Sequence, residues 1–198
     1  DLYIEQIKPD DPMSYRVDDV QGQAGWARFG QRVETIRVKG QPDVQHTVRS
    51  TRHGPVLSDA QSAHARLIDV KRYVLALRWA ALEADNKTAL AMQRVNEAGT
   101  VAELWTSFSD YHSPMQNVMM ADTAGRITYK AVGRAPLRRP DNDIRGIAPA
   151  PGWDPRYEWD GWLPYAETPE HGAGKGAQPA WIANANQRVT PPGYPYFI

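Results

Sequence analysis

The five histidines are the side chains best suited to acid–base or metal chemistry, and their spacing marks no such site. They stand far apart, at His46, His53, His64, His112 and His171. No serine lies in a Gly-x-Ser-x-Gly segment, so a Ser-His-Asp triad built from them is unmarked. The His-Glu-x-x-His pattern is missing, and a histidine-built zinc site is not expected. The sequence has no cysteine, which excludes disulfides, thiolate metal sites and a cysteine nucleophile.

Two short polar motifs resemble ion-binding loops without completing them. Asp141-Asn142-Asp143 opens like a calcium-binding loop, but the glycine and the distal glutamate of such a loop are missing. A solvated turn is the better interpretation. Residues 171–176 (HGAGKG) have the glycines and the lysine of a phosphate-binding loop without its strand and Gly-Lys-Ser/Thr context, so we expect a flexible loop there.

Three tryptophans, Trp153, Trp159 and Trp162, lie close together in a segment of little periodicity. They could stack sugar rings or bases in a binding module. The alternative, which we favour, is that each ring anchors an irregular segment to the core, because each one buries a large apolar area.

Composition and charge narrow the choice of partners. The 198 residues carry 23 Lys and Arg against 23 Asp and Glu, whereas nucleic acids and acidic membranes attract basic proteins. The basic cluster Arg134, Arg138 and Arg139 is offset by Asp141 and Asp143. With 41% hydrophobic and 23% charged residues the composition is globular, and the length predicts a single domain over residues 1–198. No apolar run approaches the roughly 20 residues of a membrane span.

The first half of the sequence reads mainly as β-strands. A strand over residues 1–7 is predicted by the alternation of two pairs of side chains, Leu2 and Ile4 against Tyr3 and Glu5. Residues 32–39 and 44–52 are rich in β-branched residues and flank the turn sequence Gly-Gln-Pro-Asp at 40–43, which predicts a hairpin. Residues 73–79 form a nearly continuous apolar run, as expected of a strand buried on both faces.

Two helices follow in the prediction. Asn86 is placed to cap a helix that extends to about Val95. Thr100 and Glu103 form a capping box, because each side chain can satisfy the free backbone N–H of the other. Four apolar residues at 1-4-5-8 spacing then share one helical face: Val101, Leu104, Trp105 and Phe108. Pro114 ends this helix, since proline disfavours a helical conformation in the residue before it.

The rest of the sequence returns to strands. Residues 117–122 and 126–132 predict a second hairpin, and 133–164 form a long irregular segment rich in Pro, Gly and Trp. Residues 181–188 predict a last strand. The order of strands, helix pair and strands predicts an α+β fold, with helices packed on a mainly antiparallel sheet.

Six short motifs, each weak alone, follow one another along the chain: Thr51–Val56 (TRHGPV), Gln116–Asp122 (QNVMMAD), Gly133–Arg138 (GRAPLR), Pro151–Trp153 (PGW), Glu158–Pro164 (EWDGWLP) and Ile182–Arg188 (IANANQR). This ordered series resembles the penicillin acylase (penicillin amidase) family of N-terminal-nucleophile (Ntn) amidohydrolases. The resemblance runs from Asp1 to Ile198. It implies an internal portion of the β subunit, within an αββα sandwich. The start inside a strand and the apolar end at residues 194–198 also predict a piece of a longer polypeptide; the alternative is a complete small protein whose signal peptide was removed.

The resemblance implies an enzyme that cleaves the amide bond between an acyl group and an amine, as in β-lactam side chains, acyl-homoserine lactones and lipopeptides. The family's nucleophile is the serine at the β-subunit N-terminus, freed by autocatalytic cleavage. Its α-amino group, which titrates at about 8, accepts the hydroxyl proton. Residue 1 here is Asp1, so we expect this chain alone to be inactive. The implied partners are the remaining β-subunit segments, the α subunit and a small acylated amine. A periplasmic or secreted location and a link to antibiotic biosynthesis are also implied.

Two site residues are carried over by the resemblance. Asn117 aligns with the Asn whose side-chain amide donates to the oxyanion of the tetrahedral intermediate; the alternative is that it caps the strand after Pro114. Arg138 aligns with an Arg that orients this amide or contacts a substrate carboxylate; the alternative is a surface salt bridge. Arg139 takes that place if the alignment slips by one.

The other motif residues have structural interpretations. We expect His53 to hydrogen-bond its loop rather than to take a proton. Asn184 and Asn186 are expected on the polar side of the last strand. No cofactor is required in the family, although some members bind a structural calcium ion near the counterpart of Asp1, the one ligand recognisable here.

Two rival functions remain open at this point. One is a non-catalytic module that binds a small acidic or carbohydrate ligand through Trp153–Trp162 and Arg138. The other is a self-contained hydrolase that uses an unmarked triad.

Overall fold

The computed structural model describes residues 1–19, 21–172, 181–185, 187–190 and 192–198. They divide into two compact units. Unit 1 comprises Asp1–Trp79 and Arg138–Glu158, and unit 2 comprises Ala80–Leu137 and Trp159–Ile198. A single domain over residues 1–198 stays a prediction.

The described residues form thirteen β-strands: β1 (Leu2–Lys8), β2 (Asp11–Asp18), β3 (Ala24–Arg28), β4 (Gly30–Ile36), β5 (Val44–Thr51), β6 (Gly54–Pro55), β7 (Tyr73–Leu77), β8 (Gln116–Ala121), β9 (Ile127–Val132), β10 (Pro136–Arg138), β11 (Ala150–Pro151), β12 (Trp159–Trp162) and β13 (Glu170–His171). They also form two α-helices, α1 (Thr88–Val95) and α2 (Val101–Phe108). Short 3-10 turns cover Leu57–Asp59, Ser62–Arg66, Ala80–Leu82, Pro155–Tyr157 and Tyr165–Glu167.

Unit 1 is built around β1, which has three neighbours. It pairs antiparallel with β2 and β7 and parallel with β11, and β3 continues the sheet beyond β2. The strand predicted over residues 1–7 is confirmed, and its alternation places Tyr3 and Glu5 on the fully buried face. The core cluster around Tyr3 also contains Ala76, Ala150 and Tyr157.

The predicted hairpin of unit 1 is confirmed as β4 and β5, whose register joins Gly30 to Ser50 and Ile36 to Val44. The short strand β6 extends it. The apolar run at 73–79 forms β7, and its three central residues are buried, as predicted for a strand covered on both faces. A second core cluster holds Tyr15, Phe29, Val56 and Val74.

Unit 2 carries the helix pair and the second predicted hairpin, β8 and β9, with β13 on the other edge of β9. The capping box of α2 is confirmed: the Glu103 N–H donates to Thr100 Oγ1 at 3.2 Å, and the Thr100 N–H donates to Glu103 Oε2 at 3.1 Å. Asn86 accepts from the first helical N–H of α1, that of Thr88, at 2.9 Å. Both helices and the hairpin meet in a core cluster of Ala91, Val101, Phe108, Tyr111, Met120 and Val132.

Several predicted boundaries differ from the structure. The segment 133–164 contains the short strands β10, β11 and β12; β10 pairs with β12, and β11 pairs with β1. Pairings of two to four residues show no periodicity that a sequence pattern could reveal. His171, predicted in a loop, lies in β13 opposite Tyr129, and residues 173–176 of that loop lie outside the described residues.

The strand predicted over residues 181–188 is wrong for 181–185 and 187–188, which carry no strand pairing. Alternating small and polar side chains suit a half-buried strand, but a strand forms only where a neighbouring strand accepts it. Asn184 is half-buried, and Asn186 lies outside the described residues.

The predicted fold class is confirmed: two helices pack on mostly antiparallel strands in an α+β arrangement. In the part of the chain that the structure describes, no helix is both long and apolar enough to cross a membrane.

Candidate functional site

Asn117 is the second residue of β8 and pairs with Ala131 of β9. Its side chain does not cap the strand start. Instead, its Oδ1 accepts a hydrogen bond from the hydroxyl of Tyr129 at 2.6 Å. Tyr129 is only 7% exposed, and this burial raises the pKa of its hydroxyl, which therefore keeps its proton near neutral pH. Within the described residues, the amide nitrogen of Asn117 has no hydrogen-bond partner.

Asn117 lines a cavity of about 220 Å³ in unit 2. The lining combines the start of the hairpin with the end of the described chain: Met115, Gln116, Asn117, Ala131, Gln187, Arg188, Val189, Thr190 and Ile198. The guanidinium Nε of Arg188 donates to Thr190 Oγ1 at 2.7 Å. The cavity therefore brings an amide, a cation and apolar side chains together, a combination typical of small-molecule sites.

Arg138 lies in unit 1 and forms a bidentate ion pair with Asp1. Its Nη2 donates to Asp1 Oδ1 at 2.7 Å and its Nε donates to Oδ2 at 3.1 Å. The two side chains are 13% and 10% exposed, so the pair is mostly buried and not a surface salt bridge. Burial lowers the pKa of Arg138. Gly146, with φ +79°, lies so close that a Cβ there would collide with both groups.

Asp1 is the predicted calcium ligand, and both of its carboxylate oxygens accept from Arg138. Calcium in proteins takes six to eight oxygen ligands. Among the described residues, no three His, Cys, Asp or Glu side chains gather so that they could hold a metal ion. The described residues therefore do not assemble a calcium site around Asp1 by themselves, and calcium binding there stays a prediction.

His53 lies in a buried charged cluster that the sequence did not predict. Its Nδ1 is 2.7 Å from Glu5 Oε1 and its Nε2 is 2.9 Å from Glu158 Oε1, and Tyr3 stacks on the ring at 3.7 Å. Burial lowers the pKa of His53, but the hydrogen bonds and charges of Glu158 and Glu5 outweigh it, so the net shift is upward. The expectation that the ring bonds its loop is wrong, because both nitrogens face carboxylate acceptors. That the ring takes no proton during catalysis stays a prediction.

Two arginines complete this cluster on the side of Glu158. Arg52 Nη2 is 2.8 Å from Glu158 Oε1, and Arg78 Nη1 is 2.9 Å from Oε2. Burial raises the pKa of Glu158, but the hydrogen bond from His53 and the charges of His53 and the two arginines lower it. The net shift of this pKa is downward. Glu5 is fully buried, and its Oε2 has no hydrogen-bond partner among the described residues. The cluster thus joins β1, the end of β5 and the last residue of unit 1.

The tryptophans pack within their own units, as the anchoring interpretation predicts. Trp153 stacks at 6.5 Å on Tyr73 in unit 1. In unit 2, Trp159 and Trp162 meet edge to face at 5.1 Å, and the Arg134 guanidinium lies 5.5 Å from the Trp162 ring. A ligand-binding role for these rings stays a prediction.

The remaining predicted residues are structural or exposed. Arg139 forms an exposed ion pair with Asp141 at 3.3 Å. The turn predicted at residues 141–143 is not fully solvated: Asn142 is 4% exposed and accepts from the Arg145 N–H at 2.7 Å. Among the described residues, no serine hydroxyl bonds a histidine ring, so a self-contained triad gains no support.

The chain is similar in sequence to a family of known proteins. A family model described as penicillin amidase matches residues 1–198. Acyl-homoserine lactone acylase QuiP of Pseudomonas aeruginosa is 32% identical over 198 residues, covering 98% of this chain and 22% of that protein. Penicillin acylase 2 proenzyme of Pseudomonas sp. strain SE83 is 28% identical over 198 residues, covering 100% of this chain and 23% of that protein.

The structural comparison agrees with these relatives. A thermostable penicillin G acylase from Alcaligenes faecalis matches with a TM-score of 0.77 and 26% identity, over 97% of this chain and 31% of that one. The two relatives and the solved structure named here are acylases, which defines the class. The chain belongs to the penicillin amidase family, and the predicted resemblance is confirmed. It spans about a fifth of the length of the curated relatives it matches.

Proposed function

We propose that the complete protein hydrolyses the amide bond between an acyl group and an amine, and that this chain contributes the oxyanion-hole side of the site through Asn117. The attacking serine and its α-amino group belong to another part of the polypeptide. The remaining β-subunit segments and the α subunit are the partners, and the location is periplasmic or secreted.

The observation that carries the proposal is the environment of Asn117. Its amide oxygen is held at 2.6 Å by Tyr129, and its amide nitrogen, without a partner among the described residues, belongs to a side chain that lines a cavity. When a hydroxyl attacks an amide carbonyl, negative charge develops on the carbonyl oxygen. A fixed N–H donor next to that oxygen stabilises the transition state more than the ground state.

Arg138 belongs to unit 1, and we propose for it the role that the family resemblance implies. Its ion pair with Asp1 fixes one edge of a planar guanidinium, which suits a group that orients an amide or meets a substrate carboxylate. A structural calcium ion at Asp1 would compete with Arg138 for the same carboxylate oxygens, so we propose the ion pair, and not calcium, as the main partner of Asp1.

The substrate class follows from the relatives as a proposal. QuiP is named for acyl-homoserine lactones, and two further relatives are named for penicillin. Both substrate types are small amines that carry one acyl chain. We propose that the substrate is an acylated amine of this kind. Rates of hydrolysis of acyl-homoserine lactones and of penicillins distinguish the two substrate types.

Replacement of Asn117 by alanine in the complete protein tests the proposal. Loss of one oxyanion donor lowers turnover by about 10²–10³, so kcat is expected to fall by about that factor with KM little changed. Steady-state hydrolysis of an acyl-homoserine lactone and of a chromogenic anilide measures it.

The matched control is Asn96→Ala, which removes an exposed amide of unit 2 at the end of α1. It is expected to keep the parent kcat. An Asn117→Ala protein that is folded and fully active would end the proposal.

A further inference from the structure

The register of the β8–β9 hairpin explains why Tyr129 reaches Asn117. Asn117 pairs with Ala131, and Met119 pairs with Tyr129, so Asn117 and Tyr129 are diagonal neighbours on one face of the hairpin. A long aromatic side chain spans such a diagonal. The Tyr129 ring is buried, which leaves its hydroxyl few positions other than the one it occupies.

The length of the hydrogen bond indicates which end of the Asn117 amide faces Tyr129. At 2.6 Å, the separation lies in the range of O–H···O bonds and below the range of N–H···O bonds. Rotation of the amide by half a turn would place N–H groups against the hydroxyl. It would also leave the buried Tyr129 proton without an acceptor. The oxygen of Asn117 therefore stays with Tyr129, and the nitrogen is left for a ligand.

An oxyanion hole needs the Asn117 nitrogen to face the substrate, and it fails if the Asn117 oxygen faces the substrate instead. With the amide turned, Asn117 would present its oxygen to the negative charge that develops on the substrate, and the contact would become repulsive. The stabilisation that the Asn117 amide gives to the oxyanion therefore depends on the group that prevents the amide from rotating.

We infer that Tyr129 is a positioning residue, whose hydroxyl fixes Asn117 with its N–H groups toward the reacting carbonyl. This inference rests on the proposed function of Asn117. The burial of Tyr129 raises the pKa of its hydroxyl, so the donor persists across the neutral range.

The first test is Tyr129→Phe in the complete protein, which keeps the ring and removes the donor. A typical hydrogen bond biases an equilibrium by about tenfold, so kcat is expected to fall by about that factor, less than for Asn117→Ala, with KM unchanged. In the Asn117→Ala background the same change is expected to have no further effect on kcat.

The matched control is Tyr165→Phe in both backgrounds. The Tyr165 hydroxyl is also buried in unit 2 but has no hydrogen-bond partner in the part of the chain that the structure describes, so its loss is expected to leave kcat unchanged. Circular dichroism and thermal melting confirm that each variant is folded.

The outcomes separate the two proposals. If Asn117→Ala keeps full activity, the proposed function and this inference both fail. If Asn117→Ala loses activity while Tyr129→Phe does not, or if Tyr129→Phe lowers kcat equally in both backgrounds, the inference alone is overturned.

A second variant covers the case in which Tyr129→Phe does not fold. Site-specific 3,5-difluorotyrosine at position 129 keeps the ring and lowers the hydroxyl pKa, so the donor is lost at a lower pH. The fall of kcat on the alkaline side is expected to move to lower pH than in the parent. Superimposable pH profiles would overturn the inference.

Discussion

The imidazole of His53 contacts Glu5 through Nδ1 and Glu158 through Nε2, and Arg52 and Arg78 hold the far side of Glu158. Both carboxylates favour the protonated ring, which raises the pKa of His53 above its usual 6.5 despite its burial. A raised pKa means that the stabilisation is complete below about 6.5 and is lost as the pH rises through the higher folded-state pKa. The lowered pKa of Glu158 acts oppositely, with stabilisation lost on acidification.

His53→Gln in the complete protein is therefore expected to lower the thermal unfolding midpoint at about pH 6. The change leaves Glu5 buried without a cationic partner, and breaking such a pair costs about 3–5 kcal/mol. The difference from the parent is expected to narrow as the pH rises through the raised pKa of His53, because the parent then loses its own stabilisation. His46→Gln in β5 is the control, because among the described residues the His46 ring has no hydrogen bond to a carboxylate, although Glu34 is its cross-strand neighbour. A difference that does not vary with pH would contradict the assignment.

The sequence could not reveal this cluster, because its acidic members lie 48 and 105 residues from His53. The alternation of residues 1–7 placed Glu5 on the face of Tyr3, but no local pattern shows that this is the buried face. Asn117 was found only through its motif. Its partner Tyr129 depends on the register of β8 and β9, and a pattern does not fix register to one residue.

At the scale of elements, local chemistry was the reliable guide. The capping box of α2 is made by residues three apart, and both of its hydrogen bonds form as predicted. The hairpins at 32–52 and 117–132 were marked by their turns. The strand predicted over 181–188 failed because its pairing depends on distant residues. The short strands β10 to β12 also pair with distant residues, so the sequence pattern did not predict them.

Thr100→Ala is expected to destabilise the complete protein by about 1 kcal/mol, because it leaves the Glu103 N–H without its side-chain acceptor. Thermal unfolding measures the loss. The control is Thr106→Ala within the same helix, where alanine has the higher helix propensity and no cap is lost. Equal destabilisation by both changes would show that the cap contributes nothing specific.

At the scale of the whole molecule, the missing nucleophile gives a direct prediction. We expect the isolated chain, residues 1–198, to show no hydrolysis of an acyl-homoserine lactone or a chromogenic anilide above buffer. The complete protein, for which we propose an N-terminal serine nucleophile, is expected to turn over one of them. Turnover by the isolated, folded chain would instead favour a self-contained catalytic triad.

Unit 1 is interrupted in the sequence: the chain leaves it after Trp79 and returns at Arg138. The returning segment brings Ala150 beside β1 and Glu158 beside His53. On the ribosome, strands β1 to β7 therefore emerge long before the residues that complete their sheet and balance their buried charge. Translation order thus delays the closure of this unit until the nascent polypeptide has passed Glu158.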